Sequence, residues 1–521
     1  MTSNLMIFIP HELCMEEPGF VLGKVVYDTR SDMKKFYIVT VRKEKTGPLE
    51  LTKSPLGIIG YYSEVTNKKI AEFANLKLPD YIHITAKSSK TDYYLKNVVL
   101  NNKKVNLANM RTTIILYYQH ALLDTELFES KAKSGDHFYE LTKLIQSKKD
   151  ELRTKSSFQQ IWGTILRSLM LLYLYPVLLL FKVIEKLLPI LKYSYLGLHM
   201  YSWLENIKWM LLTIIHDRGF KLKTANYGLA IVIDMALGIY VLRLLQYYVD
   251  DQPSQLLLNN AEKVVETLRD LINWLMGAPA GLKLNHVLNN AMGKFFLYHI
   301  QLWQTFLISS KPLLDFAFDI LLLFGALGVT FQISIMADLL ALVSFHAYCI
   351  YVYAARLFNL QLKGITALFR LFLGKKKNPL RNKVDSCQYH TDQLFVGTLS
   401  FTILLFLMPT TWVYYAVFTA LRLASIGFSG FLTRLKFYLQ IMPVYTFWKW
   451  FLRSQTTCST VDIRLHSQSS EGVTILTMTM VVTLWRHTWK KCIPDTITCH
   501  PPIEWDTILH NVIWGHLLYP L

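Results

Sequence analysis

Long apolar stretches restrict what this chain can fold into more than any other feature of its sequence. An α-helix needs about 20 mostly apolar residues to cross roughly 30 Å of hydrocarbon, because it rises about 1.5 Å per residue. The stretches of that kind predict membrane-spanning helices near 161–184, 227–247, 312–333, 336–356 and 394–416. The predicted fold class is a membrane all-α multi-span helical bundle, which occupies residues 156–455.

The stretch 320–355 is predicted to turn back within the membrane. Asp338 is its only formally charged residue. As one helix the stretch would measure about 54 Å, which exceeds the apolar thickness of a bilayer. A hairpin is therefore predicted, with its turn near Gln332 to Asp338. Ser334 in this turn is predicted to be exposed on the lumenal, non-cytosolic side of the membrane.

Two further segments have helical periodicity but carry charges in their middle. In 357–372 the polar side is marked by Lys363 and Arg370, so this segment is predicted to lie flat on the membrane surface. The segment 429–450 contains Arg434 and Lys436. It is predicted to be another interfacial helix, and a sixth span is the alternative.

The two ends of the chain have the composition of soluble protein. Residues 1–155 contain short β-branched and aromatic runs and then a charged segment, which predict a small α/β or α+β domain leading to a solvated helix. Residues 456–521 form a tail in which alternating residues at 461–466, turn residues at 469–472 and an apolar run at 473–482 indicate a β-hairpin.

The charge balance limits the classes of partner. The 55 Lys and Arg residues exceed the 37 Asp and Glu residues, so the net charge is +18. A basic surface suits anionic lipid headgroups as well as nucleic acid. RNA-binding signatures and zinc-finger spacings are missing from the sequence, and most basic residues stand beside apolar runs. We therefore expect membrane lipid, and no nucleic acid, as a partner.

A basic loop precedes the span at 394–416. Its cations are Lys375, Lys376, Lys377, Arg381 and Lys383. The excess of Lys and Arg in cytosolic loops places this loop in the cytosol. Counting spans backward places the N-terminal domain there as well, in agreement with an N-terminal apolar run too short for a signal peptide. The loop is either a topology signal alone or also a contact for anionic headgroups or an acidic partner surface.

Polar residues within predicted spans are candidates for function, because an unpaired charge in the bilayer costs at least roughly 2.5–3.5 kcal/mol. The candidates are Asp234, Asp338 and His346. Either they pair with neighbouring helices or partner subunits, or they form a proton relay or transport path. Separately, the small residues around Gly277, Pro279 and Gly281 allow a tight turn, which is either a packing site for another helix or only a helix break.

Five ordered blocks of sequence resemble one known family. They are 274–285 (WLMGAPAGLKLN), 295–300 (FFLYHI), 345–353 (FHAYCIYVY), 374–387 (GKKKNPLRNKVDSC) and 392–411 (DQLFVGTLSFTILLFLMPTT). Over about 226–452 the chain resembles the PIG-Q family, the Q subunits of phosphatidylinositol N-acetylglucosaminyltransferase. The N-terminal domain and the tail beyond residue 454 resemble the family only loosely.

The resemblance implies a multi-pass protein of the endoplasmic reticulum membrane. Its complex would transfer N-acetylglucosamine from UDP-N-acetylglucosamine to phosphatidylinositol on the cytosolic face, the first step of glycosylphosphatidylinositol (GPI) anchor biosynthesis. In this family another subunit carries the catalytic glycosyltransferase domain. The Q subunit is thought to hold the complex together, so the implied partners are the other subunits, including the catalytic one.

The residues themselves favour a supporting role. The chain has no D-x-D pair and no G-x-G-x-x-G turn, and Glu64 and Glu72 match an E-x7-E spacing that arises easily by chance. His487, Cys492, Cys499 and His500 fit no common zinc spacing. We therefore predict no catalytic residue, no cofactor site and no metal site. The alternative is a stand-alone membrane enzyme or transporter that uses Asp234, Asp338 and His346.

Overall fold

The computed structural model divides the chain into two compact units. The first contains residues 1–174, 211–226 and 443–494, and the second contains residues 175–210, 227–442 and 495–521. The residues described are 4–15, 17–28, 33–43, 56–64, 79–86, 93–105, 110–128, 137–155, 157–217, 219–248, 253–277, 279–378, 380–381, 383–468, 473–497 and 503–519.

The first unit is built around a mixed β-sheet. Its strands are β1 Asn4–Pro10, β2 Gly19–Asp28, β3 Met33–Lys43, β4 Gly57–Glu64, β5 Tyr81–Ala86, β6 Tyr93–Leu100, β7 Lys103–Val105, β8 Thr112–Tyr117, β11 Cys458–Gln468 and β12 Val473–Val482. Their order across the sheet is β11-β12-β8-β1-β3-β2-β4-β5-β6-β7. The pairs β1/β3, β1/β8, β12/β8 and β4/β5 are parallel, and the other pairs are antiparallel.

Alternation of apolar side chains along the strands explains the two cores of this unit. Leu5, Ile7 and Ile9 of β1 belong to one buried cluster, and Phe8 belongs to another. Successive side chains of a strand point to opposite faces of its sheet, so both faces of β1 are buried. The cluster around Phe8 also contains residues of two helices, α1 Gln119–Asp124 and α2 Tyr139–Lys155.

The strands β11 and β12 form the antiparallel pair expected near residue 460, but they do not belong to a separate tail. In β12, Val473 to Met478 pair in parallel with Thr112 to Tyr117 of β8. The expected domain boundary at 455 therefore differs from the structure, in which 443–494 complete the sheet of the N-terminal residues. The turn residues 469–472 lie outside the described residues.

His83 of β5 gives the sheet a pH dependence. Its Nε2 atom lies 2.8 Å from the hydroxyl of Ser63 on β4, and both side chains are buried. Burial lowers the pKa of His83 below its ordinary value of 6.5, and the charge of Lys96 lowers this pKa further. The unfolded chain binds a proton as the pH falls through 6.5, whereas the folded sheet resists protonation, so the stability of the sheet falls below that pH.

We expect a His83→Gln substitution to remove much of this acid sensitivity, because glutamine keeps a hydrogen-bonding group beside Ser63 and does not titrate. The measurement is hydrogen–deuterium exchange protection of the β5 amides in the full chain, corrected for intrinsic rates, on both sides of pH 6.5. The exposed His120 supplies the control His120→Gln, which should keep the wild-type slope. Equal slopes in wild type and His83→Gln would contradict the assignment.

The remaining elements are mostly long helices. They are α3 Ser157–Leu191, α4 Tyr195–Asp217, α5 Leu222–Tyr248, α6 Pro253–Met276, α7 His286–Ser309, α8 Lys311–Gly325, α9 Val329–Phe372, α10 Thr391–Gln440, α11 Val444–Phe451, α12 Trp485–Cys492 and α13 Trp505–Trp514. A two-stranded hairpin, β9 Lys375–Asn378 and β10 Lys383–Ser386, lies between α9 and α10. Within the described residues, α3, α5, α9 and α10 are long and apolar enough to cross a membrane.

The predicted turn at Gln332 to Asp338 is wrong. Helix α9 runs without interruption from Val329 to Phe372, and the break before it lies at Ala326 to Gly328. The apolar run before this break forms α8, whose 15 residues measure about 22 Å and are too short to cross roughly 30 Å of hydrocarbon. The arms expected at 312–333 and 336–356 are therefore not the helices that form.

The two expected surface helices are not separate helices either. Residues 357–372 continue α9, and residues 429–440 continue α10, which has 50 residues. A break at Ile441 to Pro443 then separates the short helix α11. Charged residues such as Lys363 and Arg434 do not end a helix, because they leave the backbone hydrogen bonds intact, whereas proline removes a donor.

The core of the second unit lies where α6, α7, α9 and α10 meet. Phe296 of α7, Tyr351 of α9 and Tyr414 of α10 are among its fully buried members. Helices α9 and α10 are antiparallel neighbours: the ring of Phe358 stacks on Tyr415 with centroids 4.4 Å apart, and further along α9 the ring of Phe372 meets the earlier residue Phe401 of α10 at 5.3 Å. These two helices measure about 66 and 75 Å, which exceeds the thickness of a bilayer core.

Candidate functional site

Asp234 of α5 caps the N-terminus of α9. Its Oδ1 accepts a hydrogen bond from the backbone N–H of Thr330 at 3.1 Å, and its Oδ2 accepts one from the Thr330 hydroxyl at 2.6 Å. The first N–H groups of a helix have no partner within the helix and carry partial positive charge. A carboxylate satisfies both requirements, so this buried acid has a structural partner in a neighbouring helix.

The same contact continues into α4 and α10. Nε2 of His199 lies 3.1 Å from the Thr330 hydroxyl oxygen, and Nδ1 of His199 lies 3.4 Å from Nε2 of Gln440. The Thr330 hydroxyl donates to Asp234, so it must accept from His199. This fixes His199 as the tautomer with hydrogen on Nε2, whose Nδ1 then accepts from Gln440. One directed chain of hydrogen bonds thus joins four helices.

The backbones of α5 and of the start of α9 approach closely beside this chain of hydrogen bonds. Gln332 donates through Nε2 to the carbonyl oxygens of Gly238 and Gly325, at 2.7 and 2.9 Å. A methyl group on Gly328 would lie 2.1 Å from Oδ2 of Asp234, and one on Gly238 would lie 2.8 Å from the Gly328 backbone. Only glycine fits at these two positions, because nothing larger can occupy the space between α5 and the start of α9.

Asp338 of α9 caps α4 in a similar way. Its carboxylate accepts from the Ser194 hydroxyl at 2.6 Å and from the backbone N–H groups of Tyr195 and Leu196 at 2.7 and 2.9 Å. The Ser194 hydroxyl in turn accepts from the Gly197 backbone N–H at 3.2 Å. Asp338 therefore lies inside a helix and at the end of another, and not at the tip of a hairpin.

His346 is not joined to either carboxylate by a hydrogen bond within the described residues. Its ring stacks on the indole of Trp303 with centroids 6.3 Å apart, and its centroid lies 6.1 Å from that of His299. Within that part of the chain, Nε2 of His346 and Nε1 of Trp303 are buried without a hydrogen-bond partner. The three polar candidates Asp234, Asp338 and His346 thus do not meet at one site.

The basic loop forms the hairpin of β9 and β10. Lys375 pairs with Ser386, Lys377 with Val384, and Lys376 with Asp385. Side chains of directly paired residues share a face of the hairpin. Lys375 and Lys377 therefore occupy a face without a carboxylate, whereas Lys376 shares its face with one.

The remaining cations of the hairpin, Arg381 and Lys383, are exposed together with the three lysines of β9. Lys383 pairs with Asn378, which donates through Nδ2 to Asp385 at 3.0 Å, so Lys383 lies on the acid-containing face. Pro379 and Asn382 lie outside the described residues.

The candidate packing turn ends one helix and starts the next. Gly277 donates its backbone N–H to the carbonyl oxygens of Asn273 and Trp274 at the end of α6, and Pro279 to Gly281 form a single 3-10 turn. A methyl group on Gly281 would meet nothing within 4 Å. Gly281 has a φ of 75°, which explains the glycine by backbone conformation rather than by close packing.

The described residues hold no group of three or more His, Cys, Asp or Glu side chains arranged to bind a metal. Cys499 and His500 lie outside those residues. Sequence reasoning missed His199, Thr330, Gln332 and Gln440, whose roles depend on contacts between distant helices. The sequence signal for this tight region was the pair of glycines just before α9, Gly325 and Gly328.

The family model described as N-acetylglucosaminyl transferase component (Gpi1) matches residues 197–459, about half of the chain. Phosphatidylinositol N-acetylglucosaminyltransferase subunit Q of Mus musculus is 39% identical over 302 residues, which cover 57% of this chain and 52% of the mouse protein. The protein of the same name from Homo sapiens is 44% identical over 226 residues, which cover 43% and 30% of the two chains.

A fungal protein is also similar. The N-acetylglucosaminyl-phosphatidylinositol biosynthetic protein gpi1 of Schizosaccharomyces pombe is 37% identical over 163 residues, which cover 31% of this chain and 25% of the fungal protein. No solved structure gives a significant match. The chain spans about half the length of the mouse relative. The family match includes both capping carboxylates and the basic hairpin, and this chain belongs to the Gpi1 family, the N-acetylglucosaminyl transferase component.

Proposed function

We propose that this chain is a non-catalytic, complex-stabilising subunit of the endoplasmic reticulum membrane complex that transfers N-acetylglucosamine from UDP-N-acetylglucosamine to phosphatidylinositol. Membership of the Gpi1 family and the names of the relatives support this function. Its partners are the other subunits of that complex, including the catalytic glycosyltransferase subunit, and membrane lipid. The reaction begins GPI-anchor biosynthesis.

The supporting role is inferred from the hydrogen bonds of the two aspartates that lie in apolar helices. Asp234 and Asp338 each neutralise the N-terminus of another helix. A carboxylate whose oxygens accept two or three hydrogen bonds from the start of another helix fixes the position of that helix. This favours a rigid scaffold over the stand-alone enzyme or transporter that would use Asp234, Asp338 and His346.

Affinity purification of the chain in mild detergent tests the proposal. The expected result is that other chains of the complex co-purify and that the purified assembly forms N-acetylglucosaminyl-phosphatidylinositol. A chain that purifies alone from such membranes, under detergent conditions that preserve other membrane complexes, would contradict a scaffold role.

We propose that residues 1–155 face the cytosol, as expected from the basic residues before α3 and from the basic hairpin. A glycosylation acceptor introduced near residue 100 should then stay unmodified in microsomes. The matched control is the same acceptor in a variant preceded by a cleavable signal peptide, which should become modified. Glycan on the acceptor of the unaltered chain would invert this topology.

We also propose that the hairpin of β9 and β10 contacts anionic headgroups or an acidic partner surface on the cytosolic side. Its five cations, Lys375, Lys376, Lys377, Arg381 and Lys383, are exposed. A basic residue near an anionic membrane surface contributes about 1 kcal/mol, so a cluster contributes without any fixed geometry. The acid-free face of Lys375 and Lys377 has the stronger positive potential, because Asp385 offsets the charge on the other face.

We expect the double variant Lys375→Gln/Lys377→Gln to lower product formation, or recovery of partner chains, about tenfold in low salt, where charges are least screened. The control is Lys376→Gln/Lys383→Gln, which removes the same charge from the face that carries Asp385 and should have a smaller effect. Both variants should still insert into the membrane in the same orientation, since three cations remain in the hairpin. If neither variant changes assembly or activity, the hairpin is only a topology signal.

A further inference from the structure

A cavity of about 240 Å³ lies between α9 and α10, beside the start of α4. Its apolar wall includes Ala337, Leu340 and Ile426. Its polar wall consists of one arginine and five hydroxyl-bearing residues, which are Arg422, Tyr195, Ser344, Tyr348, Ser425 and Ser429. No acidic residue lines the cavity. The site is separate from the Asp234 carboxylate and from the basic hairpin, and it adjoins the Asp338 cap, because Tyr195 both lines the cavity and donates its backbone N–H to Asp338.

Arg422 is only partly satisfied by its protein contacts. Its Nε and Nη2 donate to the carbonyl oxygen of Leu518 at 3.4 and 3.3 Å, and its guanidinium carbon lies 4.4 Å from the ring centroid of Tyr348. A guanidinium carries five N–H donors, so most of them remain for another acceptor. Among the described residues, no carboxylate lies within ion-pair distance of Arg422.

Several of the hydroxyl groups around the cavity also keep a hydrogen for a ligand. Ser429 Oγ lies 3.4 Å from Tyr195 Oη, so one of these two hydroxyls donates its only hydrogen to the other, and the second keeps its own. Ser425 donates its hydroxyl hydrogen to the carbonyl oxygen of Leu421 at 3.0 Å and offers a ligand only acceptor capacity. In the described part of the chain, the hydroxyls of Ser344 and Tyr348 make no hydrogen bond to protein. One guanidinium with several hydroxyl donors and no acid is the donor set that binds the oxygens of a phosphate ester.

We propose that this cavity binds the phosphate group of an anionic phospholipid, with Arg422 as the charged ligand. A phosphate oxygen pair matches the planar fork of the guanidinium, which Tyr348 holds from one side by stacking. The cavity is smaller than pockets that enclose whole drug-sized molecules, so it suits a headgroup whose acyl chains stay outside. The side chain of Phe345, which lines the cavity and is 59% exposed, offers those chains an apolar surface.

This site does not depend on the proposed transfer reaction. Residues of the proposed headgroup contact on β9 and β10 do not line the cavity. A phospholipid bound here would fill the gap between two long antiparallel helices and neutralise a cation in an otherwise apolar segment, which lowers the cost of keeping that charge there.

The test uses the full chain purified with its assembly and two probes that differ only by phosphate: phosphatidic acid and diacylglycerol with the same acyl chains. Binding is measured by retention on the purified protein, with lipid quantified by mass spectrometry. We expect phosphatidic acid to bind at least about tenfold more tightly than diacylglycerol, and Arg422→Gln to remove about that difference. Arg422→Lys should retain part of it, because lysine keeps the charge but not the fork.

Arg434→Gln is the matched control, because Arg434 is an exposed arginine of the same helix outside the cavity lining, and it should bind as wild type does. Ser344→Leu fills the cavity without removing Arg422 and should weaken phosphatidic acid binding, so the inference stays testable if Arg422→Gln does not fold.

Inorganic phosphate, added as a third probe, separates the two sources of the oxyanion. Competition with phosphatidic acid would show that the phosphate group alone is recognised, and lack of competition would assign the site to the lipid. Equal binding of phosphatidic acid and diacylglycerol by the wild-type chain, or wild-type binding by both Arg422→Gln and Ser344→Leu, would overturn the inference.

Discussion

A Gly328→Ala substitution should lower the stability of the helical unit by about 3 kcal/mol or more. The added carbon would lie 2.1 Å from Oδ2 of Asp234. Either the carboxylate moves and leaves the backbone N–H and the hydroxyl of Thr330 without their acceptor, or α5 and α9 separate. Gly238→Ala acts on the same contact, because its new carbon would lie 2.8 Å from the Gly328 backbone.

The measurement is the midpoint of thermal unfolding of the purified chain in detergent. Gly427→Ala is the matched control, because a methyl group at this helical position would meet nothing within 4 Å. It should unfold at or slightly above the wild-type temperature, since alanine favours a helix over glycine. Wild-type stability of Gly328→Ala would show that the tight contact with Asp234 is wrong.

An Asp338→Ala substitution should cost about 2–4 kcal/mol, because it removes the acceptor of three hydrogen bonds at the start of α4. The backbone N–H groups of Tyr195 and Leu196 would lose both their partner and the negative charge that complements the helix dipole. Asp338→Asn keeps one carbonyl oxygen as acceptor and should lose less.

Thermal unfolding and hydrogen exchange at the first turn of α4 would report this loss. The exposed Asp319 of α8 supplies the control Asp319→Ala, which should leave α4 protected. A proton-relay role for Asp338 predicts the opposite pattern, in which Asp338→Asn keeps full stability but loses a transport or enzymatic activity. That pattern would contradict the capping role.

The sequence predicts helices well where apolar character is long and continuous, and poorly where they end. The length of the apolar run at 320–355 predicts a turn near Gln332, whereas in the structure the helices are broken at Ala326 to Gly328. Bilayer thickness limits the part of a helix that lies in hydrocarbon, but it does not end the helix. Gly325 is the last residue of α8 and Gly328 is the N-cap of α9, so the two glycines mark the break better than the length does.

Contacts between residues far apart in sequence could not be predicted. The alternation in β11 and β12 indicates a hairpin, but nothing in it indicates that β12 would pair with β8, more than 300 residues earlier. In the same way, Asp234 and Asp338 were recognised as expensive to bury, while the capping of α9 and α4 depends on how the helices pack. The free-energy cost of burying a carboxylate identifies such residues in the sequence, but their roles depend on how the helices pack.

The central claim is that this chain supports transfer without performing it. The direct measurement is transfer of N-acetylglucosamine from labelled UDP-N-acetylglucosamine to phosphatidylinositol by three detergent-purified samples: the chain alone, the assembly that contains it, and the other subunits prepared from membranes that lack it. The account predicts product from the complete assembly, none from the chain alone, and loss of partner chains or of product when the chain is missing. Transfer by the purified chain alone would contradict it.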